Sequence, residues 1–322
     1  MYRTLLALFS SLAAPVAAGD FVLSWPIDCT LGETCHIQQY VDRDPGPGAQ
    51  DFTCNDLSYD GHKGTDIALP YLSDMHRGVR VRAAADGVVA GTRDGMADQY
   101  ASKEDAPELK GVECGNGVLL RHANGWETQY CHMKKGSLRV KKGDKVTAGT
   151  TLGQVGLSGQ TQFPHLHLSV RKDGEVIDPF LPVSNATCGA TDAPMLWKQP
   201  VAYSAAGFIG AGFSTDVPDY AEVKSGAATA AHGAVTAQAP ALVFWIYAFG
   251  GREGDIVSLM IEGPNGAVID QKVNLKKDQA QFFRAAGKRL RAPSWPAGLY
   301  TGIARLMRDG KEIDRIIRPV RF

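Results

Sequence analysis

The chain has 322 residues, with 34 Lys and Arg offset by 34 Asp and Glu, and 44% of it is hydrophobic. That charge balance leaves no basic footprint for nucleic acid, while the apolar content suffices for buried cores. Past the N-terminus no run is long and apolar enough to cross a bilayer, so no membrane span is expected.

Residues 1–18 carry a single charge, Arg3, and then the apolar stretch LLALFSSLAAPVAA ending in small residues. This reads as a secretory signal cleaved after Ala18, too short and too disrupted by Pro15 to be a membrane span. Residues 19–59 show little periodicity, contain the turn-rich run DRDPGPGAQD and hold three of the six cysteines. They are expected to form an ordered extension wrapping the region that follows.

Six cysteines in an exported chain favour up to three disulfides over free thiols. Cys114 and Cys131 flank the turn-forming HANG stretch almost symmetrically and are expected to face each other across a hairpin. Cys29 with Cys35, and Cys54 with Cys188, is the pairing favoured for the rest, with other connectivities open. The Asn185 sequon is formally a glycosylation site.

Residues 60–189 read as β throughout: short alternating runs such as VRVRAAADGVVAG, GVLLRHA and HLHLSV are separated by Gly, Asn and Asp turns. An antiparallel sheet with a groove over one face is expected. Residues 94–113 form a polar insertion, either a wall of that groove or a solvated loop. The basic run from Lys134 to Lys145 reads as the solvent face of a hairpin.

Two segments of this region carry metal-ligand chemistry. His62 and Asp66 sit in GHKGTDIA, and His165 and His167 in PHLHLSV. Residues two apart on a strand share a face, so His165 and His167 point the same way; the even spacing of His62 and Asp66 does the same if the chain there is extended. A catalytic zinc takes three ligands of these types and keeps one position open. Four candidates for three places leave one for another task. His36, His76, His122 and His232 are given no role.

The stretch from about residue 60 to 182 resembles the lysostaphin/LytM-type zinc metallopeptidases, which cut peptide bonds in peptidoglycan stems and cross-bridges. The matching pieces run in order: HKGTDIALP, VRVRAAADGVVAG, GNGVLLRHANGWETQYCHM, VKKGDKVTAGTTLGQVGLSG and PHLHLSVRKDGEVIDPFLP. The resemblance implies that His62, Asp66 and His167 ligate zinc and that His132 and His165 stand beside it as catalytic histidines. It implies a bacterial, periplasmic or secreted protein acting on peptidoglycan peptides. In relatives an upstream segment can cover the site and supply a fourth ligand; His36 and Asn55 are the candidates here.

Residues 190–241 are rich in Ala and Gly and read as a spacer. From residue 242 strand patterns return, LVFWIYAF, IVSLMIEG and IDRIIRPVRF among them, and suggest a C-terminal immunoglobulin-like β-sandwich, making the whole chain all-β. Phe244, Trp245, Tyr247 and Trp295 are read as its core rather than a glycan platform, because they lie inside apolar runs. This module is expected to dock the enzyme to the envelope or to another envelope protein. The leading reading is thus an exported zinc endopeptidase of peptidoglycan; the alternative is a catalytically silent zinc-binding regulator of another wall hydrolase.

Overall fold

The computed structural model of the chain describes residues 21–102, 104–183, 188–189, 194–231 and 235–322. The signal segment, Asn185 and His232 lie outside the described residues.

The first part holds β1 (His36–Gln39), β2 (Thr65–Ala68), α1 (Leu72–Arg77), β3 (Arg80–Arg82), β4 (Gly87–Arg93), α2 (Ala106–Leu109), β5 (Asn116–Arg121), β6 (Trp126–Met133), β7 (Lys145–Val146), β8 (Thr151–Gln154), β9 (His165–Lys172) and β10 (Glu175–Ile177). Seven strands form an antiparallel sheet in the order β1-β2-β9-β6-β5-β4-β7, with β10 also beside β9 and a separate β3-β8 ribbon. Period-two alternation on β9 explains how the sheet carries both a core and a site. Leu166, Leu168 and Val170 face the core and are fully buried, and His165, His167 and Ser169 face the other way.

The extension preceding the sheet belongs to its core. Leu23, Ile27, Ile37, Tyr40 and Leu57 are buried with Ile67, Leu120, Tyr130 and Leu168 in one cluster. Pairing of β1 with β2 adds the extension to the sheet as its edge strand. The disulfides join Cys29 to Cys35, Cys54 to Cys188 and Cys114 to Cys131. The second of these ties the extension to the far end of the region.

The second part holds β11 (Gly207–Ser214), α3 (Tyr220–Ser225), α4 (Ala227–Ala230), β12 (Ala241–Gly251), β13 (Ile256–Gly263), β14 (Gly266–Asn274), β15 (Gln279–Arg289), β16 (Leu299–Arg308) and β17 (Lys311–Arg321). Two antiparallel sheets, β11-β12-β15 and β14-β13-β16-β17, pack over a core that includes Phe213, Phe244 and Ile246 from one and Leu259, Ile261 and Leu306 from the other. Trp245 and Tyr247 are buried on the opposite face of the first sheet, under Val223 and Ala228 of the short helices. All four aromatics noted in the sequence are core residues.

The Ala/Gly-rich stretch 190–241, expected as a spacer, contributes β11 to this sheet, paired along its length with β12. The physical reason lies in close approach to aromatic groups. A Cβ on Gly212 would stand 2.7 Å from the Trp245 ring, and one on Gly210 would collide with the Tyr71 hydroxyl. Glycines of this kind make room for large rings and look, in sequence, like linker.

Candidate metal centre

Strands β2 and β9 pair with Asp66 directly opposite His167 and Ala68 opposite His165. Cys131 of β6 lies opposite His167 on the other side, so His132 is the next residue along. His62 enters from the turn before β2. The backbone of His132 has φ 58, an uncommon conformation for a residue with a Cβ. It is held there by its N–H donating to Cys114 O at 2.8 Å, and the neighbouring Cys131 is disulfide-bonded to Cys114. A non-glycine residue over-determined in this way is a recurrent mark of functional sites.

The sequence-predicted residues converge. His62 Nε2, Asp66 Oδ1 and His167 Nδ1 form a triangle with edges of 3.2, 3.2 and 2.7 Å. Tetrahedral donors at ordinary metal distances stand ~3.3 Å apart, so these three atoms fit one small divalent cation. A second triplet, His132, His165 and His167, also lies within metal-holding distance. The first is favoured because it includes a carboxylate, which the second lacks. His36 and Asn55 are in neither triplet: His36 stacks on Phe249 and Asn55 contacts Thr53 and Arg252.

Each imidazole is oriented by an acceptor that sequence reading did not find. His62 Nδ1 donates to Tyr40 O at 2.6 Å, leaving Nε2 as a donor atom for a metal. His167 Nε2 donates to Ser169 Oγ at 3.0 Å, leaving Nδ1 free for the same use. His132 Nδ1 donates to Ser158 O at 2.8 Å, and His165 Nδ1 to Phe163 O at 2.9 Å with Thr161 Oγ1 nearby. Such outer partners fix ring orientation and tautomer. Tyr40, Ser158 and Phe163 act through main-chain carbonyls, which leave no side-chain signature, whereas Ser169, two residues from His167 on the same strand face, was within reach of periodicity.

The electrostatics suit a cation. Burial opposes the charge on Asp66, but the neighbouring imidazoles of His62, His165 and His167 outweigh it and hold its carboxyl well below the usual range. Burial pulls His62 down too, yet the charge and hydrogen bond of Asp66 outweigh it and its pKa is raised. Burial lowers His167. Burial, then His165 and His167, pushes His132 well below an ordinary histidine, so its ring is neutral.

The cluster opens into a cavity of about 390 Å³ whose walls include Gln39 and Tyr59 of the extension, Phe163, and Ala101, Ser102 and Ala106 of the 94–113 insertion. The insertion is therefore a wall of the groove. Asp98 pins it by accepting from Lys135 N and Leu157 N, and Asn116 by bonding both N and O of Met96.

Residues 60–179 match the sequence pattern of peptidase family M23. The chain carries an M23 peptidase domain. It is 36% identical over 118 residues to the DD-carboxypeptidase/endopeptidase Mpg of Neisseria meningitidis serogroup B, covering 37% of this chain and 22% of that protein. Similarity to the peptidoglycan DD-endopeptidase ShyA of Vibrio cholerae is 34% over 117 residues, 36% and 22% of the two chains. The cell division protein DipM of Caulobacter vibrioides is 36% identical over 110 residues, 34% and 15%. Among solved structures, the catalytic domain of the prophage-encoded M23 protein EnpA of Enterococcus faecalis superposes with a TM-score of 0.33 at 24% identity, over 52% of this chain and 100% of that one. The chain thus spans about a fifth of the first two curated relatives, and the shared part is the M23 domain.

Proposed function

We propose that this protein is an exported, zinc-dependent endopeptidase that hydrolyses peptide bonds in the stems or cross-bridges of peptidoglycan. The observation that carries the reading is the convergence of His62 Nε2, Asp66 Oδ1 and His167 Nδ1 beside two further imidazoles on the same cavity. The names of the similar M23 proteins, Mpg and ShyA, support the substrate class. Three disulfides suit an oxidising compartment outside the cytoplasm, and among the described residues no helix is long and apolar enough to cross a membrane.

In this reading His62, Asp66 and His167 hold the ion. When bound, zinc supplies Lewis acidity that polarises the scissile carbonyl and lowers the pKa of water. His132 and His165 supply the proton handling. Both rings donate Nδ1–H to main-chain carbonyls, so each presents an unprotonated Nε2 as a base. One imidazole takes a proton from the attacking water as the carbon–oxygen bond forms. As the carbon–nitrogen bond breaks, a protonated ring delivers that proton to the departing amine. Neutral rings at neutral pH are what this sequence needs, and burial of His132 provides one.

Digestion of purified peptidoglycan sacculi by the mature chain, with and without chelator and beside His165→Ala, tests the proposal through the muropeptides released. Chelator-sensitive cleavage that the variant lacks is the expected result. Stoichiometric zinc without any cleavage would sink it in favour of a silent regulator.

A further inference from the structure

The trough that begins at the metal cluster does not end within the M23 domain. Gln39, Tyr59 and Ala280 line both the metal cavity and a second one of about 490 Å³, so the two adjoin at these residues. The walls of the second cavity include Gly250 and Arg252 at the end of β12 and Gln279 at the start of β15. These belong to the C-terminal sandwich.

That sandwich is not loosely tethered at this place. Gln38 Nε2 donates to Ala280 O at 2.8 Å, Gln281 Nε2 donates to Gln38 Oε1 at 2.9 Å, and Tyr247 OH donates to Gln281 Oε1 at 2.5 Å. Arg252 pairs with Asp56 at 3.1 Å and His36 stacks on Phe249 at 4.4 Å. Gln38 is fully buried, so breaking this chain of amides would leave polar groups without water or partners.

We propose that the C-terminal sandwich is a fixed wall of the substrate cleft, and that Ala280, Gln279 and Arg252 are specificity-determining residues for a long peptide strand. The inference deepens the peptidase reading and rests on it for the reaction. Its physical basis is that β1 and β15 are both edge strands of their sheets and meet across the trough. Edges offer main-chain donors and acceptors to an extended peptide, which is a recurrent mode of peptide recognition. The side-chain amides of Gln39 and Gln279 on the cavity wall add donors and acceptors of the same kind, and Arg252 with Asp56 presents charge of both signs. Tyr59 and Ala280 are exposed at the junction, open to such a strand. The class selected is a peptide reaching beyond both sides of the reacting bond, a cross-linked pair of stems rather than one short stem.

The test uses the zinc-loaded mature chain, the variants Ala280→Trp and Arg252→Ala, a purified cross-linked muropeptide and a short peptide containing the same scissile bond. The readout is the ratio of kcat/KM for the two substrates, together with the muropeptide Kd by calorimetry and the thermal midpoint. The ratio is expected to fall at least ~tenfold in Ala280→Trp, mainly through KM, with a parallel weakening of Kd and a smaller effect in Arg252→Ala. Equal loss on both substrates, or none on either, overturns the proposal. A wild type that binds the muropeptide through Ala280 without cleaving it would keep the cleft and remove the peptidase reading, and one that neither binds nor cleaves would remove both.

Discussion

The Nδ1 proton of His62 is held by the main-chain carbonyl of Tyr40, 2.6 Å away, so a residue of the N-terminal extension orients a ligand of the candidate metal centre. The extension therefore supports the site through Tyr40 as well as lining its cavity through Gln39 and Tyr59. Its own side-chain candidates for a fourth ligand, His36 and Asn55, lie elsewhere.

Deleting residues 19–55 is accordingly expected to damage the enzyme rather than release it. The deletion removes Tyr40 and the edge strand β1, together with Leu23, Ile27 and Ile37 from the core. Loss of an outer partner alone costs ~10–100-fold in metal affinity. Differential scanning fluorimetry and zinc titration should show a lower thermal midpoint and weaker binding; a truncated protein with higher activity on sacculi would contradict the geometry.

Ser169→Ala tests the other outer partner without touching the fold. The hydroxyl receives the Nε2 proton of His167 at 3.0 Å, which leaves Nδ1 for the triangle with Asp66 and His62. Competition with a chromogenic chelator should report zinc affinity reduced ~10–100-fold, with the far-UV spectrum unchanged. Unaltered affinity would mean that His167 is held by its packing alone.

Gly64→Ala probes the roof over the same ring. A Cβ there would stand 2.5 Å from His167 Nε2 and 2.8 Å from Leu168 O. The backbone oxygen cannot swing aside, so the strand must shift, at a cost of about 1–3 kcal/mol. Denaturant unfolding should show that loss in the metal-free protein, and zinc affinity should fall as well. A variant as stable as the wild type would show that the turn before β2 yields more easily than the contact distances imply.

How much of this was legible in the sequence differs by residue. His62, Asp66, His132, His165 and His167 could be gathered because metal chemistry restricts side-chain types, and strand periodicity placed two of them on one face. Carbonyl partners such as Tyr40, Ser158 and Phe163 could not, because any residue supplies a carbonyl. The sheet and the sandwich-like pattern after residue 242 followed from alternation, whereas β11 was hidden because Gly210 and Gly212 answer to Tyr71 and Trp245, far away in sequence. The seam between the two parts was hidden for the same reason: Gln38 and Gln281 look like ordinary polar strand residues until the fold buries them together.

That seam also sets an expected pH dependence. Gln38 Oε1 accepts from Gln281, so the ring nitrogen His36 Nε2, 3.1 Å from the same oxygen, is the donor there and the buried imidazole is neutral. Burial lowers its pKa from 6.5 to about 4, opposed only in part by the bond to Gln38. The folded state therefore binds this proton later than the unfolded chain as pH falls. Stability from this residue is intact above pH 6.5, is lost progressively between 6.5 and about 4, and changes no further below that. The full loss is about 3 kcal/mol. His36→Phe keeps a ring to stack on Phe249 and cannot take the proton. Urea unfolding at pH 7.5 and pH 4.5 should show wild type losing more stability than the variant over that interval, even if the variant is the less stable of the two at pH 7.5. Parallel losses would mean that water reaches His36 and its pKa is ordinary.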